Sequence, residues 1–101
     1  MQIRTTPQYD KWFSKLKDLK AKQAITIHLR KLSELDYFGD HKFIDANLFE
    51  LRIFVGKGYR IYGTKKGNTF VILLCAGDKS NKKSQQEDIE KAKRMIREIL
   101  K

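Results

Sequence analysis

An α+β domain is predicted by three features of this 101-residue chain. Apolar residues recur at helical spacing in the first third and again near the C-terminus. The middle of the chain switches to a period of two, and capping residues or Gly-bearing turns sit at most of the switches. The order reads βααβββα: two N-terminal helices and a C-terminal helix packed on a small antiparallel sheet. No repeat, low-complexity tract or linker interrupts it, so one domain is expected over residues 1–101. An apolar content of 41% is enough for a core, and the low Gly and Pro content argues against disorder.

The elements follow in order. Gln2 to Thr5 is a short opening strand at best. Thr6-Pro7 starts a helix, because Thr caps free amides and Pro at the first helical position has no amide to lose. Tyr9, Trp12, Phe13, Leu16 and Leu19 form its apolar stripe. A second helix is expected from about Lys20 to Leu35, with Ala21, Ala24, Ile25, Leu29, Leu32 and Leu35 on one face and a tight hairpin turn before it. Asp36 to Asn47 reads as an irregular loop, with Gly39, several charges and scattered aromatics. Leu48 to Phe54 alternates as a strand, Val55-Gly56-Lys57-Gly58 turns, and Tyr59-Arg60-Ile61-Tyr62 returns. Lys65-Lys66-Gly67-Asn68 turns again into Thr69 to Ala76, which is apolar on both faces and is expected at the centre of the sheet. Gly77 to Lys83 reads as a polar loop, and Ser84 with Glu87 as the capping box of a closing helix that buries Ile89, Ala92, Ile96 and Ile99.

Charge gives the first functional clue. Lys and Arg total 22 against 12 Asp and Glu, a net charge of +10 at neutral pH. Such a field draws in polyanions, chiefly nucleic acid, although an acidic protein partner meets the same demand. A lone Cys75 excludes an intramolecular disulfide, and its place in an apolar strand makes it inert packing. No apolar run approaches a bilayer span, and MQIRTTPQYD lacks the apolar core of a secretory signal, so a cytoplasmic protein with no membrane partner is expected. With one Cys and two distant His there is no zinc spacing. Neither a metal nor another cofactor is expected. His28 reads as a helix-face residue and His41 as a loop residue without a catalytic partner. Gly56-Lys57-Gly58 lacks the following helix that a phosphate loop requires.

Strand alternation gathers a candidate site. Glu50 and Arg52 point one way on their strand, as do Arg60 and Tyr62 on the next. If the helices cover the Leu51/Ile53 side, these four are displayed together on an open face, with Lys57, Asp78 and Lys79 at its rim. Arg suits phosphate oxygens and the charge of a pentacoordinate phosphorus, a carboxylate or phenol accepts a proton from a ribose 2′-hydroxyl, and Lys returns one to the leaving oxygen. RNA supplies its own nucleophile. A solvated, charge-paired sheet face explains the same pattern without chemistry. The expected catalytic residues are Arg60, Arg52, Lys79, Glu50 and Asp78; Lys57, Tyr62, Lys42, Lys82 and Lys83 are the expected RNA contacts.

The series Trp12-Phe13, Leu16-Lys17-Asp18, Phe38-Gly39-Asp40, Glu50-Leu51-Arg52-Ile53, Gly58-Tyr59-Arg60-Ile61-Tyr62, Leu73 to Lys79 and Gln86 to Ala92 resembles the RelE/ParE toxin superfamily over nearly the full length. Within it the chain looks most like the HigB-related addiction-module killer proteins. The resemblance implies the toxin of a type II toxin–antitoxin pair, neutralised by a cognate helix-turn-helix antitoxin through which alone it meets operator DNA. It implies ribosome-dependent, metal-independent cleavage of mRNA that leaves a cyclic phosphate, with Arg60 as phosphate and transition-state ligand, Arg52 and Lys79 in support and Glu50 as base. The ParE branch implies instead a non-enzymatic inhibitor of DNA gyrase. The ribonuclease members often carry a His or Tyr near the end of the last strand or in the tail, and Gly77 to Lys83 has neither. Acid–base work then falls to Glu50, Asp78, Lys79 or Tyr62. A nucleic-acid-binding module without toxicity is the third reading.

Overall fold

The computed structural model describes residues 1–67, 69–79 and 82–99. Its elements are β1 (Gln2–Thr5), α1 (Pro7–Lys15), α2 (Leu19–Leu35), β2 (His41–Asp45), β3 (Leu48–Ile53), β4 (Tyr59–Lys66), β5 (Phe70–Asp78) and α3 (Lys82–Ile99). The α+β architecture expected from the pattern is present, on a five-stranded sheet in the order β1-β5-β4-β3-β2. The sheet is mixed where an antiparallel one was expected: β1 runs parallel to β5, and the other pairings are antiparallel.

Thr6 begins α1 as its sequence suggests, and it also does a second job. Its hydroxyl oxygen accepts from the Tyr9 amide at 3.2 Å while its proton goes to the Leu74 carbonyl at 2.5 Å. That carbonyl lies at a register shift in the β4–β5 pairing, where Tyr62 faces Cys75 but Gly63 faces Leu73. The extra residue, Leu74, turns both itself and Cys75 toward the same apolar cluster. Gly63 is required opposite the bulge, because a Cβ there would stand 2.6 Å from the Phe49 ring. α2 starts one residue before the expected point, capped by Asp18, whose carboxylate accepts from the Ala21 amide at 3.1 Å. Its last turn ends on Asp36 in the left-handed region. Leu19 and Leu35, expected on the apolar faces, are 72% and 71% exposed.

Three corrections concern the parts nearest the site. Residues 36–47 are not all loop: His41–Asp45 form β2, the edge strand beside β3. The expected polar loop after β5 is shorter, since Gly77 and Asp78 still pair with Arg60 and Tyr59. Lys82 and Lys83 open α3, so Ser84 is a first-turn residue and not the cap. Residues 68, 80 and 81, which belong to the expected turn and loop, lie outside the described residues. Of the run from residue 69 to Ala76, expected at the centre of the sheet, all from Phe70 onward belongs to the interior strand β5 beside the middle strand β4.

The sheet is covered on both faces. α1 and α2 close one face over Tyr9, Ile25, Leu32, Phe49, Leu51, Ile53, Ile61, Val71 and Leu73. α3 closes the other with Ala92 and Ile96 against Leu48, Tyr62, Leu74 and Cys75. Replacing Thr6 by Ala removes a helix cap and leaves the Leu74 carbonyl unmet, so a loss of about 1–3 kcal/mol is expected. Chemical denaturation measures it, and Thr6→Ser, which keeps the hydroxyl, should recover most of the loss.

Candidate functional site

Alternation along β3 and β4 puts Glu50, Arg52, Arg60 and Tyr62 on one face, with Glu50 opposite Tyr62 and Arg52 opposite Arg60 in register. The expectation that this face is open is overturned by α3. Glu50 is 1% exposed and Tyr62 is fully buried, so the phenol packs against Leu74 and Ala92 in the core and offers no surface for contact with RNA. The part that stays open is the end of the face beyond the first turns of α3, where Arg52 and Arg60 keep about a third and a fifth of their side-chain surface.

Glu50 organises this end. Its Oε1 accepts from Arg52 Nε at 2.9 Å, and its Oε2 accepts from the Gln85 amide of α3 at 3.1 Å. Arg60 Nε faces the same Oε2 at 3.8 Å, an ion pair too long for a hydrogen bond. Among the described residues that Nε has no hydrogen-bond partner. Burial raises the Glu50 carboxyl, but the hydrogen bonds from Arg52 and Gln85, the neighbouring Tyr62 hydroxyl and the Arg52 charge outweigh it and leave it below its ordinary value. A carboxylate so held is a poor proton acceptor. These surroundings suit Glu50 to orienting two guanidinium groups.

Lys79 completes a group of cations. Its amide donates to the Gly58 carbonyl at 3.1 Å, and Nζ lies 3.5 Å from the centre of the Phe54 ring. Gly58 has φ +84°, and a Cβ there would stand 2.9 Å from Lys79 Cδ, so glycine is what lets the lysine stem lie across the β3–β4 turn. Burial lowers the Lys79 ammonium from its ordinary value, and the nearby charges of Arg60 and Arg52 lower it further. Arg52 is also 4.0 Å from Asp40, and its amide donates to the Asp40 carbonyl at 2.9 Å.

The remaining expected residues are spread around this group. Asp78 is opposite Tyr59, away from the Arg60 face, and its Oδ2 binds Lys57 Nζ at 3.1 Å. That bond to Asp78 raises the Lys57 ammonium. Lys42 is exposed on β2 at the register position of Glu50, and Lys82 and Lys83 are exposed at the start of α3. His28 Nε2 donates to the Phe38 carbonyl at 2.7 Å and so pins the loop after α2, while His41 packs against Phe38 and Phe43. The Cys75 thiol is pushed up to about 12 by burial and the nearby Asp88 charge, which agrees with a packing role.

Two α3 residues and one turn residue enter the site without having been singled out in the sequence. Gln85 holds Glu50. Asp88 sits against Gly77, where any Cβ would collide with its carboxylate. Burial raises the Asp88 carboxyl, against the opposing charges of Lys91 and Arg60. Phe54 is 70% exposed beside Lys79. The available sequence signals were the helical spacing Gln85/Asp88/Ala92, which puts both polar residues toward the sheet side of α3, and the apolar Phe54 at the very end of a strand.

Because Glu50 is held below its ordinary carboxyl value of 4.5 in the folded chain, its contribution to stability is complete above that value. It is lost as pH falls through the lowered one. Glu50→Gln should cost about 1–3 kcal/mol at pH 7, less than for a sealed pair because both arginines reach water. The variant should also lose less stability on acidification than the parent, which denaturant titrations at neutral and acid pH measure.

The surroundings of the site match known proteins closely in sequence. The family model described as "Phage derived protein Gp49-like (DUF891)" matches residues 11–97, which include every site residue above. A protein of Haemophilus influenzae described as uncharacterized is 44% identical over 99 residues, covering 98% of this chain and 96% of its own. With the match running from α1 to the last turn of α3, the chain belongs to the phage-derived Gp49-like family, a RelE-like family associated with toxin–antitoxin systems.

Proposed function

We propose that this protein is the toxin of a type II toxin–antitoxin pair and that it arrests translation by cutting mRNA on the ribosome. The observation that carries the reading is the convergence of Arg52, Arg60 and Lys79 at the open end of the sheet, with Arg60 free of any hydrogen bond at Nε among the described residues. Cations held this close repel one another, and an anion between them relieves the repulsion. A phosphodiester in transit to a pentacoordinate phosphorus carries that charge.

In the proposed reaction Arg60 binds the non-bridging phosphate oxygens, with Arg52 beside it. Glu50 positions both guanidinium groups. The ribose 2′-oxygen attacks phosphorus as its proton passes to a carboxylate, for which Asp88 is better suited than Glu50 because burial raises its pKa. The bond from phosphorus to the 5′-oxygen breaks, and Lys79, whose ammonium is made more acidic by burial and by its cationic neighbours, protonates the departing oxygen. The products are a 2′,3′-cyclic phosphate and a 5′-hydroxyl. Asp78 and Lys57 form a paired rim, and Lys42, Lys82 and Lys83 contribute field along the path of the RNA. The partner is a cognate antitoxin, here of helix-turn-helix type, that carries the complex to operator DNA.

A second reading, inhibition of DNA gyrase without catalysis, is favoured by one feature: both carboxylate oxygens of Glu50 are engaged by neighbouring side chains. Induced expression separates the two. Translation should stop first, with mRNA cut within codons, while DNA synthesis continues; the reverse order assigns gyrase. Arg60→Ala should lose about 10²–10³-fold in cleavage rate and relieve growth arrest while still binding antitoxin. Full-strength arrest by Arg60→Ala would remove the assigned site.

A further inference from the structure

A groove of about 430 Å³ opens between α2, the loop that follows it and the end of β3. Its walls include Ile27, Tyr37, Ile53 and Phe54, and Arg52 and Asp40 stand at one side. Three of these apolar side chains are unusually exposed for their type: Phe54 at 70%, Tyr37 at 57% and Ile27 at 52%. Nothing in the cores on either face of the sheet requires them, since the strands are already covered by α1, α2 and α3.

Two contacts join the groove to the cations. Arg52 lines it and at the same time bonds Glu50. Phe54 lines it and carries the Lys79 ammonium 3.5 Å from its ring centre. An occupant that fits both features is planar and apolar in one part and anionic in the part next to it. A nucleotide has that composition. An apolar protein side chain would fill the walls and leave unmet the charge of Lys79, which makes no ion pair among the described residues, while Arg52, paired with Glu50 and Asp40, still keeps a third of its side chain in water.

We propose that this groove is a nucleobase subsite, in which Phe54, with Tyr37 also in the lining, stacks an unpaired base of single-stranded RNA whose phosphate lies on Arg52 and Lys79. The inference rests on the reading of the site as one that acts on RNA, and it adds where a base beside the reacting phosphate is held. Aromatic stacking tolerates any base, so Phe54 fixes the position of the strand, and base preference is left to the edges of the groove. Positioning of this kind aligns the 2′-oxygen with the phosphorus and the leaving oxygen.

The test compares two probes of equal length and charge: a 2′-O-methyl oligoribonucleotide, which cannot be cleaved, and its abasic counterpart. The full-length protein should bind the base-bearing probe more tightly by roughly 5- to 150-fold, the range for one stacked base. Phe54→Ala should lose this preference and keep its affinity for the abasic probe. Phe54→Trp should keep the preference, and its indole emission should be quenched by the base-bearing probe alone. Arg60→Ala should weaken both probes alike. Equal binding of the two probes by the parent protein overturns the subsite and leaves the phosphate site standing. Binding of neither overturns both. If Phe54→Ala keeps the base preference but releases the cognate antitoxin, the groove belongs to a protein partner and the subsite is likewise overturned.

Discussion

A carboxylate placed almost out of reach of water between two arginines is the constraint on which the functional end of this fold depends. Glu50 is held by Arg52 along its own strand, by Arg60 across the β3–β4 pairing and by Gln85 from the helix above. Each partner comes from a different element, so the ion group forms only when the sheet is in register and α3 has docked. An unpaired charge at that depth would cost several kcal/mol. The same contacts that satisfy Glu50 thus select one docking of α3 and one orientation for each guanidinium.

The two-sided covering of the sheet makes this arrangement possible. Apolar burial by α1 and α2 on one face and by Ala92 and Ile96 of α3 on the other leaves the arginine-bearing end of β3 and β4 open to water, beside the exposed edge strand β2. The register shift beside Gly63 lets Leu74 and Cys75 both face α3, and Thr6 takes up the carbonyl set free at the same place. A helix cap in the first turn of the chain and the packing of the last helix are therefore linked through one bulge. The approach of Asp88 to Gly77 depends on that packing too.

Electrostatics at the open end follow from the same geometry. Arg52, Arg60 and Lys79 share a small volume, while Lys57 is neutralised by Asp78 on the turn. The local field is thus positive where the sheet emerges from under α3, and the exposed rings of Phe54 and Tyr37 adjoin it. Charge and flat apolar surface side by side are the two properties that single-stranded nucleic acid engages. The overall charge of +10 strengthens approach to such a target without choosing the place.

Local signals in the sequence determined a good part of this. The Thr6-Pro7 helix start, the turns after Phe54 and Lys66 and the alternation that puts Glu50, Arg52, Arg60 and Tyr62 on one face are written in neighbouring residues, because capping, φ preference and strand pleat act over a few positions. The edge strand β2 was not legible: His41, Lys42 and Phe43 are exposed, and hydrogen bonding to β3, a long-range partner, is what makes them a strand. Nor could alternation say which side of the sheet α3 would cover. That choice buried Glu50 and Tyr62, brought Gln85 to Glu50 and Asp88 to Gly77, and left Phe54 outside. The pleat sorts side chains into two faces by chain geometry alone, whereas the fate of each face is set by packing between elements far apart in the chain.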